Sequence, residues 1–522
     1  MSAITISNES ELEKDVTLEN KEYNFSFQLI DKDINIKGCS DEGGESRITL
    51  EDFLYILPKD NDINVKFSNI TFDASDEIKD DKNIDEQIAL ITIGIFDGDV
   101  ELDNKAKTYV TFDHCNFYGF QSEKLYCLAL GDYCIVSFNN CNFSADRYGV
   151  FQLGNSVTTC TNCIFDSIFD TFWAARNHSS FKFDKCKARV DNECFISIED
   201  NSEGSIENCK FTSEFIKPEE KDVEKFEEEN PDSYATFNFN CISNLSEGKI
   251  NVYNCQFSNF YSCIFCVGGE TSSMNIMDCK IKNSYMGIWL NKDGEYRIVN
   301  TTVDSCYKSG ISGTGNVTID LYDSNITKTT DTGITLFEEA KANLRNCKIS
   351  NNGGFALQNG EETEINIHEC TMHNNAKVAI MSETNKSLHA TKCSFNDNAM
   401  FNVIVGGEGD AYFDDCIFLA TKKRREKAMH FHITCAGKSK LHLDNCTLSS
   451  NDKEFSGFLS DDESNVYGEN CKFRNLEKLA ILNKKSKIYI KDSDMKDIDN
   501  PIAGNEEEAV LEMVGCGGKL DE

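Results

Sequence analysis

The stretch LRNCKI (residues 344–349) returns with the same pattern as IHECTM (367–372), ATKCSF (390–395) and FDDCIF (413–418). Each copy places a cysteine between a polar bend residue and a short apolar segment. Between residues 279 and 416 successive copies are 22, 23, 23, 23, 23 and 23 residues apart. A fixed period of about 20–50 residues is typical of stacked repeat folds. The chain is therefore predicted to be a solenoid of similar coils.

Cysteine holds this repeat position along most of the chain. It is found as Cys39, Cys115, Cys141, Cys163, Cys186, Cys209, Cys255, Cys279, Cys347, Cys370, Cys393, Cys416, Cys446 and Cys471. Degenerate copies carry Ile70, Thr301, Ser324 and Ser493 instead. Because small hydroxyl side chains replace the thiol among aromatic and aliphatic neighbours, we predict buried, protonated packing cysteines, and neither a disulfide ladder nor metal ligands.

Apolar residues alternate around the repeat position. With the cysteine as position zero, positions −5 and −3 are apolar, as in Ile365 and Ile367, and the mostly polar position −4 is expected to face solvent. Position −1 is usually Asn or Asp, which tolerate the left-handed backbone of a bend. A third apolar stretch follows each copy. Three strands per coil predict an all-β fold, a single right-handed parallel β-helix of roughly 18 coils with about 23 residues each. A leucine-rich horseshoe, with one strand per repeat, fits less well.

The repeated motif, the Asn at the bend and the opening INIKGC (34–39) with RITL (47–50) resemble the pectin lyase-like superfamily of parallel β-helix proteins. The resemblance covers most of the chain and implies the fold. That superfamily includes polysaccharide lyases, hydrolases, epimerases, phage tailspikes, adhesins and non-catalytic interaction repeats. Fold alone does not choose among these functions.

The repeat also predicts the domain organisation. We expect an N-terminal cap with the first strands over residues 1–38, the β-helix over 39–500 and a C-terminal cap or tail over 501–522. Within that last segment, EEEAVLEMV (506–514) is predicted to form a short helix, and Cys516 to be an exposed thiol. Extra residues in a solenoid are extruded as surface loops. Such insertions are predicted near residues 74–87, 217–234 and 421–428.

The 88 Asp and Glu residues outnumber the 52 Lys and Arg residues, which leaves a formal charge of −36. This charge opposes binding to nucleic acid or anionic lipid. No secretory signal and no apolar run of membrane-spanning length is visible, so we expect a cytoplasmic protein that contacts no membrane. The exception to the acidic composition is the dense basic cluster Lys422, Lys423, Arg424 and Arg425 in the third insertion, which could dock an acidic partner or a second copy.

The third apolar stretch suggests a binding surface. If its central residue points inward, the residues on either side form a neutral, largely apolar strip on the outside. Such a strip is typical of a partner surface. The residues that represent it are Phe172, Phe195, Ile288, Leu290, Met381 and Ile404. Two alternatives stay open: loops cover the strip, or the inward and outward assignment is displaced by one residue.

Catalytic and metal-binding signals are weak. Glycoside hydrolysis requires two carboxylates beside the scissile bond, and the strip offers none. The Asp414-Asp415 pair is assigned to a bend. His430 and His432 could share a face as metal ligands, but two histidines without a third ligand do not define a metal site. We therefore expect no cofactor and, on balance, no enzyme.

The sequence leaves three functions open. The leading interpretation is a non-enzymatic scaffold or protein-binding rod that contacts a protein partner or itself. The first alternative is carbohydrate binding or processing, which predicts carboxylates or aromatic platforms clustered in a groove. The second is an acidic DNA mimic that inhibits a DNA-handling protein.

Overall fold

The computed structural model describes residues 4–7, 9–39, 45–79, 89–95, 106–118, 125–144, 149–166, 171–190, 194–214, 240–421, 430–451, 453, 455–503 and 508–517. Their regular secondary structure is almost entirely β-strand. Their helical segments are a 3₁₀ turn at Glu9–Glu11 and the single turn α1 at Asp76–Lys79. No helix in these described ranges is long and apolar enough to cross a membrane.

The chain divides into two compact units, Met1–Asn275 and Ile276–Glu522. In both units each coil contains three parallel strands, which stack on the equivalent strands of neighbouring coils. We call the stacks the pre-cysteine column (positions −6 to −2), the post-cysteine column (positions +1 to +3) and the third column. In the first unit, for example, Val110 pairs with Val136, Phe117 with Phe143 and Val150 with Trp173. The predicted all-β parallel β-helix is confirmed.

The first unit begins with β1 in the post-cysteine column, and β2 to β28 then repeat in the order pre-cysteine, post-cysteine, third. The strands are β1 (Ile4–Ile6), β2 (Asp15–Thr17), β3 (Glu22–Phe25), β4 (Leu29–Ile30), β5 (Ile34–Lys37), β6 (Ser46–Leu50), β7 (Leu54–Ile56), β8 (Ile63–Ser68), β9 (Ile70–Ala74), β10 (Ala89–Ile93), β11 (Thr108–Asp113), β12 (Asn116–Phe117), β13 (Tyr126–Leu130), β14 (Cys134–Asn139), β15 (Asn142–Ser144), β16 (Val150–Gln152), β17 (Val157–Thr161), β18 (Ile164–Asp166), β19 (Trp173–Ala175), β20 (Ser180–Asp184), β21 (Lys187–Val190), β22 (Ile196–Ile198), β23 (Glu203–Glu207), β24 (Lys210–Ser213), β25 (Asn240–Asn244), β26 (Lys249–Tyr253), β27 (Gln256–Ser258) and β28 (Ser262–Gly268).

Strand β29 (Ser273–Met277) lies at the boundary, and the second unit continues the pattern with four longer strands, β31, β33, β52 and β54, that each serve two columns. The strands are β30 (Lys280–Lys282), β31 (Met286–Val299), β32 (Thr302–Asp304), β33 (Ser309–Tyr322), β34 (Asn325–Thr327), β35 (Thr332–Phe337), β36 (Lys341–Arg345), β37 (Lys348–Ser350), β38 (Leu357–Glu361), β39 (Glu364–His368), β40 (Thr371–His373), β41 (Val378–Thr384), β42 (Ser387–Thr391), β43 (Ser394–Asn396), β44 (Phe401–Val405), β45 (Asp410–Asp414), β46 (Ile417–Ala420), β47 (His430–Cys435), β48 (Lys440–Asp444), β49 (Thr447–Ser450), β50 (Phe455–Ser460), β51 (Asn465–Glu469), β52 (Lys472–Leu482), β53 (Lys487–Lys491), β54 (Asp494–Ala503) and β55 (Val510–Val514).

The bend before each repeat cysteine from Cys115 to Cys471 has the predicted left-handed backbone. Asn140, Asn346 and Asp415, for example, have φ angles of 53°, 51° and 55°. Neighbouring bends are also linked through their side chains, since the Asn162 amide donates to Asn140 over 2.8 Å. Asn and Asp therefore serve twice at this position: they accept the positive φ and connect consecutive coils.

The repeat cysteines form a buried column of free thiols. The Sγ atom of Cys141 lies 3.4 Å from the carbonyl oxygens of both Phe112 and Asn139, so its S–H can donate to one of them. Ser324 makes the equivalent bond, with its hydroxyl 2.7 Å from the Tyr322 carbonyl oxygen. The thiol therefore fills a small slot that serine also fits, and the packing interpretation of the cysteines is confirmed.

We expect most thiols to be unreactive in the folded protein. Of the 24 cysteines, only Cys39 and Cys516 are partly exposed, and burial raises the pKa of Cys306 to about 12 and that of Cys471 to about 11. Because the thiolate is the reactive form, iodoacetamide should modify two cysteines rapidly in native protein and all of them in guanidinium chloride. Mass spectrometry of the alkylated chain measures this number. Rapid native labelling of many cysteines would contradict the packing of the column.

Two expectations about loops and ends need revision. The segment predicted to be a C-terminal helix is instead β55, which pairs in parallel with β53 through Leu511–Ile488 and Met513–Ile490. Cys516 is not in a free tail: its Sγ lies 3.6 Å from the Ile490 carbonyl oxygen, so it fills the repeat slot of one more copy. The insertion at 217–234 and most of those at 74–87 and 421–428 lie outside the described residues.

Candidate functional site: a polar groove and a ring ladder on the second unit

The predicted neutral strip is mostly buried. Phe172 and Phe195 have no exposed surface, and their rings stack on each other at 5.9 Å in the core of the first unit. Both lie in the bend before a third-column strand begins, so their side chains turn inward beside those of the strand. Ile288 and Leu290 are also fully buried, on either side of Trp289. The expectation that these four residues face solvent was wrong.

The remaining strip residues, Met381 and Ile404, are half-buried neighbours in the third column of the second unit. Met400, which precedes their strand pair, is 48% exposed. These side chains form a small apolar patch. Its role in partner binding stays a prediction, and the basic cluster at Lys422, Lys423, Arg424 and Arg425 lies outside the described residues.

His430 and His432 do not form a surface metal pair. Both are buried, and Nδ1 of His432 lies 2.9 Å from the Asn402 amide nitrogen, which donates to it. Burial lowers the pKa of His432 to about 3, so the ring is neutral at physiological pH. In the ranges that the structure describes, no three His, Cys, Asp or Glu side chains are placed to hold a metal ion.

An internal ladder of amides leads to His432. The Asn352 amide donates to Asn375 over 3.0 Å, Asn375 donates to Asn398 over 2.8 Å, and Asn398 donates to Asn402 over 3.0 Å. These asparagines lie in the core of the second unit, where an unpaired polar group would be costly. The sequence shows the 23-residue spacing of Asn352, Asn375 and Asn398, although no prediction was based on it.

A groove of about 920 Å³ lies on the outward face of the pre-cysteine column of the second unit. Positions −4 and −2 of strands β31, β33, β36, β39 and β42 line it, because side chains at these positions alternate with the buried ones at −5 and −3. We call it the polar groove. Its main lining residues are Arg297, Tyr322, Asn343, Arg345, Asn366, His368 and His389.

Amides form the floor of the polar groove. The Asn366 side chain donates to Asn343 over 3.1 Å, and Asn343 donates to Asp320 over 2.9 Å. Each amide therefore uses part of its hydrogen-bonding capacity on a neighbouring coil and keeps the rest outward. His368 lies beside Glu369, with Nε2 3.5 Å from the carboxylate. The floor thus offers both hydrogen-bond donors and hydrogen-bond acceptors.

Two arginines of the polar groove have no carboxylate partner among the described residues. The guanidinium of Arg297 lies over the Tyr322 ring, 5.9 Å from its centroid. Neither Arg297 nor Arg345 is ion-paired to any residue that the structure describes, whereas Arg176 and Arg474 are each paired to a carboxylate. On a protein with a formal charge of −36, unpaired arginines in a groove keep strong donors available for a ligand.

The groove continues into a row of stacked rings along position −4, which we call the ring ladder: His389, Tyr412, His442, Tyr467 and Tyr489. Successive ring centroids are 4.6, 4.7, 4.9 and 5.3 Å apart, with interplanar angles of 13° or less. The last coil of the groove is therefore the first of the ladder, because His389 belongs to both.

Carboxylates accompany the ring ladder at position −2. Asp414 and Asp444 lie opposite each other on β45 and β48. Partial desolvation and the neighbouring Asp444 charge raise the pKa of Asp414. The Asp414-Asp415 pair was predicted to lie at a bend. This is correct for Asp415, which has a φ of 55°, but Asp414 is the last residue of β45 and is exposed on the outward face.

Comparison with known proteins agrees with this architecture. A family model described as a right-handed β-helix region matches residues 99–218 and 240–391, just over half of the chain. The chain belongs to the right-handed β-helix family. The resemblance to pectin lyase-like proteins is thereby confirmed at the level of the fold. No curated protein shows significant sequence similarity to the chain.

Several solved β-helix structures are similar at low identity. The periplasmic alginate epimerase AlgG is 10% identical with a TM-score of 0.35, over 70% of this chain and 78% of that one. The tailspike of E. coli bacteriophage HK620, solved with a pentasaccharide, is 9% identical with a TM-score of 0.31, over 91% and 74%. Vag8 in complex with C1 inhibitor is 6% identical with a TM-score of 0.33, over 99% and 100%. These likenesses concern the fold, and none of them assigns a ligand to this chain.

Proposed function

We propose that the protein binds carbohydrate through the polar groove. The observation that carries the proposal is the groove itself: an open site of about 920 Å³ whose floor brings together amides, guanidinium groups and imidazoles from consecutive coils. Sugar hydroxyls both donate and accept hydrogen bonds, and these side chains together offer both roles. The volume lies in the usual range of ligand sites. The rings of Tyr322 and His389 also line the groove and add C–H groups beside the polar floor.

The scaffold interpretation has less structural support. It relied on a neutral strip of which four of the six named residues, Phe172, Phe195, Ile288 and Leu290, are buried in the cores. Protein binding is a second candidate function, because Met381 and Ile404 form an apolar patch at the surface. The DNA-mimic alternative and a cytoplasmic location stay predictions from the sequence.

Changing Arg345 to alanine is expected to weaken glycan binding at least about tenfold, because a charge-assisted hydrogen bond is lost from the groove floor. The measurement is a glycan array of soluble polysaccharides, followed by isothermal titration calorimetry with those retained. Arg345 is exposed, so Arg345→Ala should leave the melting temperature unchanged.

Arg189→Ala is the matched control, since Arg189 is also an exposed arginine but lies on the first unit. It should bind glycans like the unmodified protein. Equal binding by Arg345→Ala and Arg189→Ala, or retention of no glycan by the unmodified protein, would contradict the proposal.

A further inference from the structure

The ring ladder is a surface feature that the proposed groove does not itself require. Its first member, His389, closes one end of the polar groove, and the other four rings extend over the next four coils. The register is continuous: Asn366 pairs with His389, His389 with Tyr412 and Tyr412 with His442. Groove and ladder are therefore one outward column of the second unit, polar over its first part and aromatic over the rest.

The rings leave defined groups free for contact. Because the rings stack face to face, it is their edges and hydroxyl groups, and not their faces, that a ligand can contact. Tyr467 is 36% exposed. The hydroxyl groups of Tyr467 and Tyr489 bond to no residue that the structure describes, whereas that of Tyr412 donates to Asp410. A tyrosine hydroxyl can both donate and accept, so each free one is an available site for a polar ligand.

Carboxylates flank the rings on the same face. Asp414 and Asp444 occupy position −2 of the coils that carry Tyr412 and His442, and both are exposed. A carboxylate accepts hydrogen bonds from hydroxyl groups, and a ring edge presents apolar C–H beside it. In these two neighbouring coils one ring and one carboxylate repeat at the strand spacing of about 4.8 Å, whereas Lys491 holds position −2 beside Tyr489.

We propose that the ring ladder is a second segment of the binding site, so that the ligand is a long polysaccharide that runs along the column from the polar groove across Tyr412, Tyr467 and Tyr489. This inference rests on the proposed function. It names the ligand as a polymer, because only a chain with a repeating unit can use equivalent contacts on successive coils. Short oligosaccharides fill the groove alone. Longer chains gain contacts with each further ring.

The experiment measures affinity against chain length. The probes are size-fractionated fragments of alginate, mannan, dextran and chitin, titrated calorimetrically into the full-length protein. For fragments that bind, affinity should rise with length beyond what fills the groove. In the double variant Tyr467→Ala with Tyr489→Ala, long fragments should bind about tenfold more weakly than to the unmodified protein, while short fragments bind equally.

Two further variants separate contact from stability. Stacked cross-strand rings also support a sheet, so thermal unfolding is recorded for each protein. Tyr467→Phe keeps the stack and removes only the hydroxyl, and it should show part of the loss for long fragments at an unchanged melting temperature. Tyr253→Ala, an exposed tyrosine on the first unit, should bind every fragment normally.

The outcomes distinguish the two proposals. If short and long fragments bind with the same affinity, or if the double variant binds long fragments normally, the ladder is only structural and this inference is overturned while groove binding stands. If no fragment of any length binds, the proposed function fails and this inference fails with it.

Discussion

Replacing Trp173 with alanine should lower the free energy of unfolding by about 3–5 kcal/mol. Trp173 has no exposed surface, and its ring packs edge-on against Phe183 at 4.9 Å and Phe138 at 6.4 Å. Its indole N–H also donates to Gln152 over 3.0 Å. The substitution therefore leaves both a cavity and a buried acceptor that has lost a partner. Urea denaturation followed by circular dichroism measures the loss.

Two comparisons test the origin of this loss. Trp173→Phe keeps part of the apolar contact and loses the indole N–H with some ring volume, so it should cost clearly less than alanine. Tyr118 is 42% exposed in the same unit, and Tyr118→Ala should change stability by less than about 0.5 kcal/mol. If Trp173→Ala cost no more than Tyr118→Ala, Trp173 would not be packed as described.

The sequence predicted most of the fold because one spacing determines it. A residue that returns every 23 positions between alternating apolar neighbours requires equivalent strands to stack, and Cys347, Cys370 and Cys393 occupy equivalent places in the second unit. The Asn and Asp residues before them predicted the bends, since few other residues adopt positive φ at low cost. These inferences rest on local backbone chemistry, which a single sequence contains.

The candidate site was harder to predict, because it depends on which side of each strand faces outward. The third strand begins at a bend, where Phe172 and Trp173 are buried in succession, so a period of two does not describe it. For this reason, most residues of the predicted outward strip are buried in the core. The ring ladder had a readable signal: an aromatic or imidazole ring at position −4 in five consecutive copies. The outward binding surface was predicted from the third apolar stretch instead.

Acid should destabilise the second unit through His432. Its pKa is lowered from an ordinary value of 6.5 to about 3 by complete burial. Between these values the unfolded chain binds a proton that the folded chain does not. The contribution of His432 to the free energy of unfolding is therefore constant above pH 6.5. It falls by about 1.4 kcal/mol for each pH unit below that value, down to pH 3. Urea denaturation at a series of pH values measures the slope, and amide hydrogen exchange in β47 reports the second unit directly.

The contribution of His432 can be separated from that of the carboxylates, which also protonate in acid. His432→Gln removes the titrating ring, so the variant should lose stability less steeply than the unmodified protein between pH 6 and pH 4, even if it is less stable at pH 7. His178 is an exposed histidine on the first unit, and His178→Gln should leave the slope unchanged. Parallel slopes for His432→Gln and the unmodified protein would mean that His432 is protonated in the fold. That would be incompatible with the neutral ring, bonded to Asn402, at the end of the amide ladder.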